Sequence, residues 1–63
     1  MEFALGVLVE GYNDRKFDVK IAGVGEFALS NRVQGEGLGD TVLVRFDPDD
    51  QFARIIRMDE VKI

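Results

Sequence analysis

The chain has no cysteine, no histidine, no tryptophan and one proline. Without cysteine there is no disulfide framework to staple a small domain. Without histidine or cysteine there is no zinc finger and no His-based or Cys-based catalysis. No stretch approaches the roughly 20 apolar residues of a membrane span. The opening Met1-Glu2-Phe3-Ala4-Leu5 lacks the basic start and long apolar run of a signal peptide. A soluble cytoplasmic protein is therefore expected. The length of 63 residues admits one domain, spanning 1–63, and excludes a complete Rossmann or barrel-type enzyme. A domain of this size buries only about 60% of its unfolded surface, so it depends on a well-packed core or on oligomerisation.

Eight Lys and Arg against twelve Asp and Glu leave a net charge of -4. That balance argues against a dedicated duplex-DNA binder, which carries a basic patch, although the distribution of charge decides more than its sum. Apolar residues make up 46% and charged residues 32%, which places the chain among globular rather than disordered sequences.

What is present is a series of short apolar runs punctuated by seven glycines. The runs recur at a period of two, so a helical reading fails and an all-β meander is expected. Glu2 to Tyr12 alternates, with Phe3, Leu5, Val7 and Val9 on one face and Ala4, Gly6, Leu8 and Glu10 on the other. Phe3 is assigned to the core and Leu8 to the outside. Asn13-Asp14 reads as a turn. Arg15 to Ala22 puts Phe17, Val19 and Ile21 inward and Lys16, Asp18 and Lys20 outward. Glu26 to Ser30 follows a Gly-Val-Gly turn, with Phe27 and Leu29 inward. Thr41 to Asp47 places Val42, Val44 and Phe46 inward, and Asp47-Pro48-Asp49-Asp50 has its proline where a type I turn wants it. Gln51 to Met58 is the fifth strand, and its broken alternation points to a bulge or edge twist. Asp59 to Ile63 offers a short sixth strand. The expected fold is a small antiparallel barrel of five or six strands, SH3-like in preference to OB because the chain is short and has no clear helix.

Several motifs reduce to turns. Gly23-Val24-Gly25-Glu26-Phe27-Ala28 has the spacing of a dinucleotide loop, but a strand follows it where a helix is required. Gly35-Glu36-Gly37-Leu38-Gly39 lacks the Lys-Ser/Thr of a phosphate loop. Asp47, Asp49 and Asp50 lack the ligand pattern of a calcium loop and read as a solvated turn. No metal, cofactor or catalytic residue is assigned, and the chain is expected not to be an enzyme.

The candidate site residues are cations and aromatics on the barrel surface. Bases stack on aromatics and phosphates are neutralised by Lys and Arg, which is how barrels hold single-stranded nucleic acid. Arg15, Lys16, Lys20, Arg45 and Arg54 are the expected phosphate contacts, and Tyr12 and Phe52 the expected stacking residues.

Two family resemblances bear on this reading. Gly39-Asp40-Thr41-Val42-Leu43-Val44-Arg45-Phe46-Asp47-Pro48-Asp49-Asp50, followed by Ala53-Arg54-Ile55-Ile56, resembles the strand-turn-strand of the C-terminal β-barrel of Mu-type transposases. That barrel is an accessory domain for DNA and partner subunits, so the resemblance carries over no catalytic residue. The rhythm of Gly6-Val7, Glu10, Phe17, Val19, Gly25-Glu26, Leu29-Ser30, Gly39-Asp40, Val42 and Val44 is similar to that of S1-like OB domains such as the small bacterial translation initiation factor. That resemblance implies RNA binding through basic and aromatic strand faces. The leading expectation is a non-enzymatic, nucleic-acid-associated binding module. The rival is a protein-interaction or self-assembling barrel, a homo-oligomer formed by edge-strand pairing. An engineered or excised barrel is a third reading.

Overall fold

The computed structural model describes residues 1–12 and 14–57. The proposed sixth strand and Met58 lie outside the described residues, as does Asn13 of the first turn. Five strands form one closed barrel: β1 (Glu2–Glu10), β2 (Phe17–Ile21), β3 (Gly25–Leu29), β4 (Thr41–Phe46) and β5 (Phe52–Ile55). The expected all-β barrel is therefore present. Among the described residues no helix is long and apolar enough to cross a membrane.

The order around the barrel is β1-β2-β3-β5-β4. All neighbours are antiparallel except β3 and β5, which run parallel. The expectation of a purely antiparallel barrel is corrected at this one seam. The chain leaves β3, crosses to form β4 beside β1, and returns through a tight turn to place β5 in the gap. The returning turn is as expected: the Asp50 N–H donates to the Asp47 carbonyl at 2.9 Å across Pro48-Asp49.

β1 is the longest strand and serves two neighbours. Glu2 to Val7 pairs with β4, and Val7 to Glu10 pairs with β2. Gly6 stands just before this handover on the inward side, and a Cβ there would lie 2.5 Å from Val19 Cγ2. A glycine at a barrel corner is what so close an approach of strand and side chain requires.

The core is filled from all five strands. Leu8, Val19, Val44 and Ile55 are fully enclosed, and Phe27 meets Phe46 with ring centroids 5.2 Å apart. Burying each such aliphatic side chain contributes roughly 1.5–3 kcal/mol. The alternation of β2 and β4 is observed as expected at Val19, Ile21, Val42, Val44 and Phe46. The facing of β1 is the reverse of the expectation. Phe3 is 61% exposed, whereas Leu8 is 1% exposed. A five-stranded barrel has a narrow interior, and β1 turns its small residues, Ala4 and Gly6, toward it. Asp18 keeps its outward parity but is buried, because Arg15 folds over it with Nε and Nη2 at 3.1 and 3.2 Å from the two carboxylate oxygens. No bulge is needed in β5: Ala53 and Ile55 point in, Phe52 and Arg54 point out, and the strand ends at Ile55.

The parallel seam is short. Its register pairs Ala28 with Phe52 and Leu29 with Ala53. The Ala28 and Ser30 N–H groups donate to the carbonyls of Gln51 and Ala53, each at 2.9 Å. The next rung is made by a side chain. Asn31 Nδ2 donates to the Ile55 carbonyl and Oδ1 accepts from the Ile55 N–H, both at 3.0 Å. A planar amide presents a donor and an acceptor side by side, so it satisfies both backbone groups of one strand residue.

Asn31→Ala strands both backbone groups of Ile55 and is expected to cost about 1–3 kcal/mol. Asn31→Asp removes the donor and sets a carboxylate against a carbonyl, so it does not rescue the loss. Urea unfolding with an unchanged slope measures both. Gly6→Val is expected to be more damaging than either, since overpacking costs about 1–3 kcal/mol or more and the clash falls on the enclosed Val19; the same urea titration checks it.

Candidate nucleic-acid interface

The seven candidate residues fall into two groups and two outliers. The first group surrounds a groove of about 350 Å³ where the β1–β2 loop meets the chain leaving β3. Its floor is Phe17, Leu29 and Val33, which continue the core to the barrel end. Its rim carries Arg15, Lys16 and Arg32, and among the described residues no carboxylate lines it.

The loop that supplies the rim is held by backbone contacts. The Gly11 N–H donates to the Lys16 carbonyl at 3.2 Å, and the Arg15 N–H donates to the Tyr12 carbonyl at 3.1 Å. A Cβ on Gly11 would lie 2.6 Å from the Arg15 carbonyl oxygen, so only glycine lets the loop fold back this tightly. Lys16 Nζ stands 5.6 Å from the Phe17 ring centroid, a cation–π contact that fixes the ammonium beside the groove. Arg15 is committed in part to Asp18, with the arginine side chain 42% exposed and the aspartate nearly enclosed. Removing Arg15 would leave a buried carboxylate unpaired, so this residue answers for the fold as well as for any ligand.

The opposite rim is held by a clamp on the β3–β4 connection. Arg57 Nη2 donates to the Arg32 carbonyl at 3.1 Å and to both Glu36 carboxylate oxygens at 3.1 and 3.2 Å. Glu36 also accepts from the Gln34 N–H at 2.6 Å. The far end of the connection is pinned to β1, where the Gly39 N–H donates to the Leu8 carbonyl and the Leu8 N–H to the Asp40 carbonyl.

The second group lies around a shallower groove of about 270 Å³ between β4, β5 and the turn joining them. Arg45 and Arg54 are cross-strand partners on the outer face, and Phe52 flanks them at 49% exposure. Asp47 and Asp50 line the same groove, so its charge is mixed. The two grooves border one another along the chain, because Ser30 lines the second while Asn31 and Arg32 line the first.

Tyr12 and Lys20 line neither groove. Tyr12 is 64% exposed at the tip of the β1–β2 loop. Lys20 stands on the outer face of β2 between its cross-strand neighbours Val7 and Glu26. The sequence reading missed Arg32, Asn31, Leu29 and Val33 as partners of Arg15 and Lys16. The one available signal was a cation beside an apolar residue at the start of an irregular loop.

Comparisons with protein families, curated proteins and solved structures find no significant match for this chain.

The Glu36 carboxyl is held below its ordinary value of 4.5, first by the Gln34 N–H, then by its own N–H and then by Arg57. Its stabilising contribution is complete above the unfolded value and is lost as pH falls through the lower folded value. The Gln34 amide resonance is expected to titrate with a midpoint below 4.5, and Glu36→Gln should abolish that titration. A midpoint at or above 4.5 would contradict the clamp.

Proposed function

We propose that this chain is a non-enzymatic binding module on an OB-type barrel, and that its ligand is a single-stranded nucleic acid seated in the groove beside the β1–β2 loop. The strand order β1-β2-β3-β5-β4, with its parallel β3–β5 seam, supports the OB-type reading over the SH3-like one. Barrels of that type use the β2–β3 face and the β1–β2 and β4–β5 loops to hold oligonucleotides.

The observation that carries the proposal is the combination of an apolar floor with a rim of three cations, on which the described residues place no carboxylate, in an acidic chain. A base has an apolar face and a nucleotide carries a phosphate, so floor and rim match the two halves of one ligand. In this reading Lys16 and Arg32 neutralise phosphates and Arg15 contributes what its pairing with Asp18 leaves free. Phe17 and the exposed Tyr12 offer stacking surfaces. Arg45, Arg54 and Phe52 extend the path across the neighbouring groove, where Asp47 and Asp50 weaken the attraction for phosphate. Lys20 adds positive potential from the β2 face. A cytoplasmic setting goes with such a ligand.

Fluorescence anisotropy with single-stranded DNA and RNA at low and high salt tests this. Micromolar, salt-sensitive binding is expected. Neutralising Lys16 and Arg32 together (Lys16→Gln, Arg32→Gln) should reduce the salt slope by up to about 1.4, at roughly 0.7 per phosphate contact on a single strand. Absence of binding at low salt, or a slope unchanged in the folded double variant, would overturn the assignment.

A further inference from the structure

The outer face of β1 and β4 carries a contiguous row of exposed apolar side chains. Phe3, Leu5 and Val7 are successive outward positions of β1, exposed by 61%, 66% and 39%. Across the ladder Leu5 faces Leu43, itself 41% exposed, while Phe3 faces Arg45 and Val7 faces Thr41. These six positions include no carboxylate, in a chain whose acids outnumber its cations twelve to eight. None of them lines the groove beside the β1–β2 loop, and of the six only Arg45 lines the neighbouring one.

We infer that this face joins two copies of the chain, packed sheet against sheet about a two-fold axis that runs along the Leu5–Leu43 row. A symmetric contact requires a patch that is complementary to itself under reversal. This one is. Reversal about that row sets Leu5 and Leu43 on their own counterparts and brings the large Phe3 over the partner's smaller Val7. It carries the long Arg45 toward the partner's short, polar Thr41. Large meets small at both ends of the row, and the two arginines are kept apart. The alternative of joining strands edge to edge has less to offer, because each strand of the closed barrel already has two neighbours.

The apolar side chains of the face present on the order of 400 Å² per copy, within the range of the largest patches on monomers and below the roughly 800 Å² per partner of a standard interface. The association is therefore weak, with a dissociation constant on the order of 100 µM, in keeping with a small, transient interface. The groove beside the β1–β2 loop stays open in the pair, while Arg45 is drawn from the neighbouring groove into the contact.

Sedimentation equilibrium of the intact chain from about 10 µM to 1 mM tests the inference, over a range bracketing that constant. The mean mass is expected to rise from the monomer toward twice the monomer. Leu5→Glu places two carboxylates on the axis and should raise the dissociation constant at least about tenfold, which is 1.4 kcal/mol. Amide shifts of the unmodified chain on dilution supply a reading that needs no variant, and they should concentrate in β1 and β4. A monomer mass at every concentration, association undiminished in folded Leu5→Glu, or dilution shifts confined to other strands would each overturn it.

Discussion

The structure depends on how a parallel seam only a few residues long closes the barrel. Two backbone rungs join β3 to β5, and the side-chain amide of Asn31 makes a third by engaging both polar groups of Ile55. A buried strand edge with unpaired groups is costly, so a seam this short needs every rung. Asn31 also sets where the chain goes next. Once its side chain is tied to β5, Arg32 and Val33 follow at the barrel end, where Val33 packs against the core and Arg32 reaches the rim of the groove. Closure of the fold and shape of the candidate site therefore share one residue.

The narrowness of the barrel explains the surface as much as the core. Val19 and Val44 are fully enclosed, and Gly6 has no space for a methyl group. The interior accepts Ala4, Gly6 and Leu8 from β1, and Phe3, Leu5 and Val7 are left on the outside. The apolar outer face is thus the other side of a packing constraint.

Legibility in the sequence followed local chemistry. In β2 the outer positions are charged and in β4 two of the three are polar, so parity alone assigns Val19, Ile21, Val42, Val44 and Phe46 correctly. In β1 both faces are apolar, parity carries no direction, and the larger side chains misled. Asp18 was placed on the right face with the wrong exposure, because its cover comes from Arg15 in a loop. The Pro48 turn was readable because proline and aspartate act within four residues. The insertion of β5 beside β3 was not, since the bond between Asn31 and Ile55 spans 24 positions and leaves no local periodicity. The candidate site was legible in its parts only. Arg15 and Lys16 are neighbours in sequence and remain so, whereas Arg32 joins them through the fold; Arg45, Arg54 and Phe52 do meet, but beside Asp47 and Asp50.

The same seam divides the barrel into two units. β1, β2 and β3 form a meander of neighbouring strands, and β4 and β5 form a tight hairpin. Each unit assembles from contacts close in sequence, whose loop-closure cost is small. The remaining pairings, β1 with β4 and β3 with β5, join one unit to the other. Those two seams carry the loop-closure cost of the fold, since their partners lie far apart in sequence. The Gly-rich connection from Ser30 to Asp40 is the tether between the meander and the hairpin, and its length sets the entropy that closing both seams gives up.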